Sequence, residues 1–422
     1  MLSEILFWVI IIISSIFTMF WIMIWLMYPD IKSNKARISR YPSVSIAVPA
    51  YNEGKHIYST LESLKNLAYP KSKKEIIVID DGSTDNTYKE IEKFVNKNPK
   101  ENIVIIRNKR NIGKAKSLNK ALKIAKGEFF VVMDADTVIN KNALLSMLSL
   151  YHGYKNNKIG GIISHIKVKK SKSLIEKFQR FEYIYAQFMR NLMSRINVLY
   201  ITPGAFSLYK TKLIKQLGGF CENTLTEDFE MALRLKYHDY EILFDSDAIS
   251  YTHIPSNLKS YINQRLRWNL GFIDNTEKYF RKFISKKDIS LFGHVIYPSS
   301  LFSLMILIVY VLKNAYHFLK NLINKIQIYY YTNKIYLFEI DSIREFLITS
   351  NYRIIIPLLA VILASLAIYF LAFKHGKERI KEIFVFIIYF LTYTTLTLLI
   401  WIFSVLYYYA IYKRKGIKKW LK

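Results

Sequence analysis

The chain has 422 residues, of which 61 are Lys or Arg and 32 are Asp or Glu, so its formal net charge is +29. Hydrophobic residues make up 52% of the sequence and aromatic residues 15%, which excludes a disordered chain because so much apolar surface would collapse out of water. A single cysteine, Cys221, excludes an internal disulfide framework and a four-cysteine zinc site. The length corresponds to roughly two to three average domains, and the composition predicts a membrane protein with a soluble part.

The first predicted element is a transmembrane helix within residues 1–30. Residues 5–27 carry no charge over 23 positions, which exceeds the roughly 20 residues that a helix needs to cross about 30 Å of hydrocarbon. A cleaved signal peptide is the alternative, but its apolar core would be shorter and would end at small residues. This segment ends in Trp25, Leu26, Met27 and Tyr28, so we predict an uncleaved helix.

The second predicted region is an α/β domain over residues 42–285. Short apolar, β-branched runs predict strands at residues 44–48, 75–80, 102–106 and 129–134. Helices are predicted between them at residues 53–67, 86–98 and 114–126. Strands alternating with such helices are typical of right-handed βαβ units, and continuous apolar strands fit a sheet covered on both faces. We expect a Rossmann-like fold with a mostly parallel sheet.

The third predicted region, residues 286–412, contains about three apolar helices and precedes a basic tail at residues 413–422. Residues 354–373 and 384–410 are uncharged spans, whereas Pro298 breaks residues 291–312 and predicts a kinked or partly interfacial helix. Four cations among residues 32–40 place the α/β domain in the cytoplasm. Three more crossings would leave the C-terminus outside, but six cations in the tail favour the inside. The side of the C-terminus therefore stays open.

Four polar clusters follow predicted strands or open a helix in the α/β domain. They are residues 49–53 (PAYNE), 80–85 (DDGSTD), 134–136 (DAD) and 226–228 (TED). Each has a local explanation, since Asp, Ser and Thr also fill turns and helix caps. Ligands of open α/β sheets bind outside the carboxyl ends of the strands. The presence of all four clusters in one domain therefore favours a functional site at that edge.

These residue types indicate phosphate and sugar chemistry. Asp134 and Asp136 are one residue apart, so in an extended segment both carboxylates would face one Mg²⁺ or Mn²⁺ that holds a nucleotide diphosphate. Asp228, at the start of a predicted helix, can act as general base for an acceptor hydroxyl, helped by carboxylates that raise its pKa. The sequence has no Gly-x-Gly-x-x-Gly or Walker loop. Neither dinucleotide nor ATPase chemistry is therefore predicted.

A fifth cluster, residues 264–268 (QRLRW), lies on a predicted helix. Gln264, Arg267 and Trp268 share one helix face. Arg suits phosphate oxygens, and Trp suits the apolar face of a sugar ring. A basic amphipathic helix on the membrane surface explains the same pattern and is compatible with a functional role.

The ordered set of motifs resembles the membrane-bound, inverting family-2 glycosyltransferases of the GT-A fold. The similarity is greatest to the branch that contains chitin, hyaluronan, cellulose and poly-N-acetylglucosamine synthases, and it covers about residues 42–270. Besides the five clusters, residues 111–119 (NIGKAKSLN) resemble the family's nucleotide-side segment, and residues 202–206 (TPGAF) resemble its acceptor-side loop. The resemblance implies an α/β GT-A domain with transmembrane helices on either side.

The resemblance also implies roles for individual residues. Asp228 would be the catalytic base, Asp134 and Asp136 would bind the metal, and Asp80 or Asp81 would read the nucleobase. The implied nucleotide-sugar-binding residues are Pro49, Tyr51, Glu53, Asp80, Asp81, Lys114 and Asp134. The implied diphosphate- and acceptor-binding residues are Gly204, Glu227, Gln264, Arg265, Arg267 and Trp268.

The predicted activity is metal-dependent, inverting transfer of sugar from a nucleotide-sugar, expected to be a UDP-sugar, to a growing β-linked polysaccharide, with Mg²⁺ or Mn²⁺ as cofactor. The predicted location is the cell membrane, with several crossings. Transfer of a single sugar to a lipid, of the ceramide-glucosyltransferase or polyprenyl-phosphate type, is one alternative, and a non-catalytic membrane scaffold is another. The expected partners are a nucleotide-sugar donor, a glycan or lipid acceptor, and membrane lipids. Nucleic acid is not expected, because much of the charge flanks apolar segments.

Overall fold

The computed structural model describes residues 2–156, 158–287, 290–332, 352–379 and 382–413. The chain divides into two compact units. One unit combines the N-terminal helix with the described part of residues 290–374, and the other combines the described parts of residues 28–289 and 375–422. Apart from Lys413, the predicted basic tail lies outside the described residues.

The larger unit contains an eight-stranded sheet among its described residues. The strands are β1 (Val44–Ala50), β2 (Lys74–Asp80), β3 (Ile103–Arg107), β4 (Phe129–Met133), β5 (Val138–Ile139), β6 (Ile159–Val168), β7 (Ala205–Lys210) and β8 (Glu241–Thr252). Its helices are α2 (Ile57–Lys65), α3 (Thr87–Lys97), α4 (Lys114–Ile124), α5 (Ala143–Gly153), α6 (Leu174–Arg195), α7 (Thr211–Gln216), α8 (Glu227–Tyr237), α9 (Leu258–Ile284) and α12 (Ile383–Tyr407).

The strand order is β3-β2-β1-β4-β7-β6-β8-β5. The four predicted strands form one parallel group, with β1 pairing in parallel with both β2 and β4, and β2 with β3. β7 lies antiparallel between β4 and β6, β8 pairs in parallel with β6, and β5 is antiparallel to β8. The predicted Rossmann-like α/β class is confirmed, and the sheet as a whole is mixed.

Alternate residues of the central strands pack into two separate apolar layers. Ile46 and Val48 belong to the layer formed with α2, α3 and α5, whereas Ala47 belongs to the layer formed with α4, α7 and α8. These side chains have no exposed surface. Both faces of the sheet are therefore covered, as continuous apolar strands predict.

α9 and α12 are joined by polar contacts along their length. The hydroxyl of Tyr261 donates to that of Tyr393 at 2.8 Å, and Asn269 Nδ2 donates to Ser404 Oγ at 3.1 Å. Farther along, the hydroxyl of Tyr408 donates to Glu277 at 2.8 Å. The sequence groups α12 with the membrane helices, but the structure packs it against the α/β domain.

The smaller unit contains the described helices α1 (Leu2–Met27), α10 (Tyr297–Thr332) and α11 (Tyr352–His375), with a π-helical turn at Leu291–Ile296 before α10. Pro298 lies where this π-helical turn passes directly into α10, which continues to Thr332. The helix is therefore irregular at the position of Pro298, and a kinked or partly interfacial helix stays a prediction.

Within the described residues, four helices are long and apolar enough to cross a membrane. They are Phe7–Met27, Leu291–Tyr331, Ile355–His375 and Ile383–Tyr412. Large apolar side chains such as Met19, Phe370 and Leu391 are exposed on these helices. One N-terminal and three later apolar helices match the predicted number, and they indicate association with a membrane.

Candidate active site

A cavity of about 800 Å³ opens at the carboxyl ends of β1 and β4. Its wall brings together most of the residues singled out in the sequence, namely Pro49, Tyr51, Glu53, Asp81, Lys114, Asp134, Asp136, Gly204, Asp228, Gln264, Arg265, Arg267 and Trp268. Asp80 and Glu227 are not part of the wall. Residues separated by up to 219 positions in the chain thus share one cavity.

Asp81, rather than Asp80, faces the cavity. The carboxylate of Asp81 accepts hydrogen bonds from Asn108 Nδ2 at 2.7 Å and from the backbone N–H groups of Ile112 and Gly113 at 3.0 and 2.9 Å. Asp80 is fully buried, accepts from the N–H of Ser83 at 3.1 Å and lies 3.5 Å from Arg107 Nε. Asp80 therefore holds the turn after β2, and Asp81 holds the loop that leads into α4.

The first two clusters are hydrogen-bonded to each other. The N–H of Glu53 donates to Thr87 Oγ1 at 2.8 Å, and the N–H of Thr84 donates to Asn52 Oδ1 at 2.9 Å. These bonds hold the Glu53 carboxyl at the cavity. Burial, together with Asp136 and Asp134, raises the pKa of Glu53 to about 7.

Lys114 joins two of the acidic clusters. Its Nζ lies 2.7 Å from Asp134 Oδ1 and 3.0 Å from Glu227 Oε1. Burial alone would lower the pKa of Lys114, but these carboxylates raise it well above its usual value, so it stays charged. Gly204 borders this pair so closely that a Cβ would lie 2.5 Å from both Asp134 Oδ1 and Lys114 Nζ. Only glycine fits beside the ion pair.

Asp134 and Asp136 both line the cavity but not on an extended segment, so that part of the prediction is wrong. They lie in a turn between β4 and β5, where the N–H of Thr137 donates to the carbonyl of Asp134 at 3.1 Å. The N–H of Asp134 still donates to the carbonyl of Gly204 at 2.9 Å, in register with the pairing of β4 and β7, and the turn begins directly after this bond. The turn nevertheless presents both side chains to the same space.

The donor set at this turn suits a hard divalent cation. Burial, together with Asp134, raises the pKa of Asp136 to about 6, which shows that its negative charge is poorly compensated. Among the described residues, no group of three or more His, Cys, Asp or Glu side chains forms a complete metal site. Two carboxylates of this kind fit Mg²⁺ or Mn²⁺ when substrate phosphates supply the remaining ligands.

Asp228 lies in the first turn of α8 and also lines the cavity. Its Oδ1 accepts from the N–H of Phe229 at 2.8 Å, and its carbonyl accepts from Thr202 Oγ1 at 2.7 Å. Burial and Glu227 raise the pKa of the Asp228 carboxyl to about 6, although Lys114 opposes the shift. Thr226 precedes the helix but makes no side-chain capping bond. Capping alone therefore does not explain this cluster.

The face of α9 predicted from the sequence borders the cavity, with one difference. Gln264, Arg267 and Trp268 line it as expected. Arg265 also lies in the wall, but its two Nη atoms donate to both carboxylate oxygens of Glu182 at 2.7 and 2.6 Å. Its guanidinium carbon lies 4.6 Å from the centre of the Trp268 ring. The geometry thus indicates that Arg265 supports Trp268 rather than offering a free cation.

Sequence reasoning missed the contributions of α6 and of two aromatic contacts. α6 adds the wall residues Glu182, Tyr183, Ala186, Gln187 and Arg190. Phe272 stacks on Phe229 with ring centres 5.2 Å apart and meets Trp401 of α12 at 5.4 Å. The polar residues of α6 recur at helical spacing, and this pattern could have indicated a polar face of the helix. Trp401 lies in an uncharged span, where no sequence pattern indicates a contact with the cavity.

The comparisons with known proteins agree with this geometry. Residues 45–218 match the family described as Glycosyl transferase family 2. A poly-beta-1,6-N-acetyl-D-glucosamine synthase of Staphylococcus epidermidis is 31% identical over 262 residues, which are 61% of this chain and 61% of that protein. The synthase of Staphylococcus aureus strain COL is 28% identical over 248 residues, 58% of this chain and 56% of that protein. The chain thus matches about three fifths of the length of these curated relatives.

One solved structure shows the same fold. The mannosyltransferase PcManGT from Pyrobaculum calidifontis, in complex with GDP-Man and Mn²⁺, superposes with a TM-score of 0.61 at 21% identity. The match covers 74% of this chain and 84% of that one. The predicted GT-A fold is confirmed.

Proposed function

We propose that the chain transfers a sugar from a nucleotide-sugar with inversion, using a divalent cation, because residues 45–218 match the family described as Glycosyl transferase family 2. The favoured product is a growing β-linked polysaccharide, and the favoured donor is a UDP-sugar. One observation carries the proposal: a single cavity brings together Asp81, the Asp134–Asp136 turn, Asp228 and the Gln264–Trp268 face. The names of the staphylococcal relatives support the polysaccharide product.

The residues divide into a donor side and an acceptor side. On the donor side, Asp81 would read the nucleobase, and Asp134 with Asp136 would hold Mg²⁺ or Mn²⁺. When bound, that ion neutralises charge on the departing diphosphate. Gln264 and Arg267 would contact the phosphate oxygens, since a guanidinium forms strong hydrogen bonds to them.

On the acceptor side, Asp228 would take the proton from the attacking hydroxyl. The hydroxyl oxygen forms a bond to the anomeric carbon from one face while the carbon–oxygen bond to the diphosphate breaks on the other. The configuration is therefore inverted, and the proton remains on Asp228 until solvent removes it. Trp268 would stack on the acceptor sugar, with its ring held by Arg265 and Glu182.

Transfer of one sugar to a lipid acceptor is the second candidate. One observation favours it: Trp401, on the apolar helix α12, lines the cavity. An apolar acceptor chain lying along α12 would thus reach the neighbourhood of Asp228. Product size separates this activity from polymer synthesis.

The test is nucleotide release by the full chain purified in detergent. UDP-N-acetylglucosamine, UDP-glucose and GDP-mannose are supplied with Mg²⁺ or Mn²⁺, and the products are separated by size. We expect release with one UDP-sugar, loss of release in EDTA and a ladder of oligomers. A single glycolipid would favour the second candidate. Release that is unchanged in Asp228→Asn would overturn the assignment of the base.

The proposed orientation, with the α/β domain in the cytoplasm of a multi-pass protein, can be tested with the native cysteine. Cys221 is half-buried in the α/β domain and is the only cysteine of the chain. We expect a membrane-impermeant maleimide to label it in permeabilised cells but not in intact ones. Lys123→Cys in a Cys221→Ser background gives a fully exposed thiol on α4 as a second probe. Labelling of intact cells at that thiol would contradict the orientation.

A further inference from the structure

Two cations in the cavity wall, Arg190 and Arg267, form no ion pair with another described residue, and Arg190 lies outside the motifs singled out in the sequence. Lys114 is paired with Asp134 and Glu227, and Arg265 is paired with Glu182. Arg190 of α6 also lines the cavity, but no carboxylate in the described part of the chain forms an ion pair with it. Its Nη1 is buried and has no hydrogen-bond partner among those residues. A buried N–H donor of a charged group is costly when it has no hydrogen-bond partner, and such donors are normally paired.

A second unpartnered donor lies beside it. Gln187 is 1% exposed and is three residues before Arg190, so both side chains lie on one face of α6. The N–H of Ile166 donates to Gln187 Oε1 at 3.2 Å, which fixes the orientation of the amide. Its Nε2 is left buried without a partner among the described residues, and the residue lines the same cavity.

The two groups share one chemistry. Both Arg190 Nη1 and Gln187 Nε2 are donors only, and one of them carries a positive charge at any physiological pH. Burial lowers the pKa of Arg190, whereas Tyr183, Asp228 and Glu182 raise it, so the guanidinium lies in the field of the catalytic carboxylate. A site with two donors and one positive charge fits an anionic oxygen, and phosphate oxygens are the preferred partners of Arg.

We propose that Arg190 and Gln187 form a binding subsite for a phosphate oxygen, separate from the Asp134–Asp136 turn. This inference rests on the proposed function only for the source of the phosphate. The phosphate is either that of the donor diphosphate or that of a lipid-phosphate acceptor. In both cases the subsite lies in the wall that also carries Asp228, where the departing and attacking groups meet.

The test is ligand binding to the full chain in detergent by calorimetry with Mn²⁺ present. The probes are UDP, inorganic diphosphate and uridine, and the variants are Arg190→Met, Arg190→Lys and Gln187→Met. Loss of a charge-assisted hydrogen bond predicts binding of UDP and diphosphate weaker by about tenfold or more in Arg190→Met. Uridine binding should not change, because uridine has no phosphate. Arg190→Lys should restore part of the affinity, and Gln187→Met should show a smaller loss.

Arg180→Met is the matched control. Arg180 lies on the same helix but pairs with Glu378 outside the cavity, with Nη2 2.6 Å from Oε2. We expect its binding of all three probes to equal that of the unaltered chain. Thermal melting of every variant checks that the chain is folded, and Arg190→Lys decides the result if Arg190→Met does not fold.

A second set of measurements distinguishes the two sources of phosphate. If the subsite takes the acceptor, the affinity for diphosphate is unchanged in Arg190→Met, but the KM for a short-chain polyprenyl phosphate rises by about tenfold. The inference is wrong if neither the affinity for diphosphate nor the KM for the polyprenyl phosphate changes. It is also wrong if only kcat falls, since Arg190 would then act through Asp228. Diphosphate binding that depends on Arg190 in a chain without any transferase activity would support the subsite and contradict the proposed function. Transfer that is unaffected in Arg190→Met would contradict the subsite alone.

Discussion

At the scale of one residue, the surroundings of Asp228 suit the general base proposed above. Burial and the neighbouring Glu227 raise its pKa to about 6, so it is ionised near neutral pH and is still a stronger base than an exposed aspartate. A carboxyl whose pKa is higher in the folded chain than in the unfolded chain destabilises the fold once it ionises. The same environment therefore has opposite effects on activity and on stability.

The pH dependence of turnover follows from this pKa. The base must be ionised, so kcat/KM should fall about tenfold per pH unit below about pH 6. A pH series of nucleotide release measures this limb. Glu53, whose pKa is raised to about 7, lies in the same cavity and could titrate as well. The limb near pH 6 should persist in Glu53→Gln, and its disappearance there would assign it to Glu53.

Replacing Asp228 by Asn should stabilise the chain while abolishing transfer. The contribution of Asp228 to stability is full below its unfolded pKa of about 3.8 and is lost as the pH rises through about 6. At pH 7.5 in EDTA, Asp228→Asn should therefore raise the free energy of unfolding by about 1 to 3 kcal/mol. At pH 4 the gain should shrink. Denaturant unfolding at both pH values tests this, and an equal gain at both would contradict the assigned pKa.

Gly204→Ala should disrupt the ion pair between Lys114 and Asp134. A Cβ would lie 2.5 Å from an atom of each, so one of them must move. A displacement of about 1 Å in a catalytic site can reduce the rate about a hundredfold. We therefore expect Gly204→Ala to lower kcat/KM by about tenfold to a hundredfold. Gly161→Ala is the control, because its Cβ would lie no nearer than 3.2 Å to the Tyr209 ring and 3.6 Å to the Leu208 carbonyl oxygen. Equal losses in both variants would exclude a specific effect at Gly204.

At the scale of elements, the position of α9 depends on α6 and α12. Arg265 of α9 forms its two-fold ion pair with Glu182 of α6, and the hydroxyl of Tyr393 of α12 donates to Glu182 Oε2 at 2.6 Å. This network lies directly behind Trp268. The motif on α9 is therefore held in place by contacts from two other helices.

Removing one charge of the pair between Glu182 and Arg265 should destabilise the chain more than removing both charges. Glu182→Gln leaves Arg265 buried without a counter-charge, which typically destabilises a protein by about 3–5 kcal/mol. The double variant Glu182→Gln/Arg265→Met removes both charges and should recover much of that stability, but not activity, because Trp268 loses its support. A double-mutant cycle by thermal or denaturant unfolding, with nucleotide release in parallel, measures both effects. Additive losses would show that the pair is not coupled.

The elements that follow strong local patterns could be predicted from the sequence. The apolar runs of β1, β2, β3 and β4 marked the parallel half of the sheet to within two residues. β6, β7 and β8 were not predicted, because their pairing depends on contacts distant in the chain rather than on local alternation. The turn at Asp134–Asp136 was also missed, because the apolar run before it does not indicate the hydrogen bond from the N–H of Thr137 to the carbonyl of Asp134.

At the scale of the whole molecule, the motifs located the cavity, but the sequence did not show what closes it. The sequence of α12 is that of an ordinary apolar span, and the residues around Trp401 do not distinguish it from a lipid-facing side chain. The structure instead makes α12 a wall of the cavity and joins it to α9 through Tyr393, Ser404 and Tyr408. The catalytic unit therefore includes a helix that composition alone assigns to the membrane.

This arrangement predicts that the α/β domain does not work without α12. A chain ending at residue 374 loses the partners of Tyr261, Asn269 and Glu277 and exposes the apolar side of α9. Unpaired buried polar groups and new apolar surface both favour aggregation. We expect such a chain to elute as aggregates in detergent and to bind UDP at least about tenfold more weakly.

A chain ending at Lys413 is the matched control for this truncation. It removes the basic tail but retains α12 and the ion pair between Lys413 and Glu277. It should elute as a single peak and bind UDP with the affinity of the full chain. If the shorter chain behaves in the same way, α12 is dispensable and residues 1–374 suffice for the site. If only the shorter chain fails, the membrane helix is a structural part of the active site, and the apolar acceptor route along α12 becomes the next feature to test.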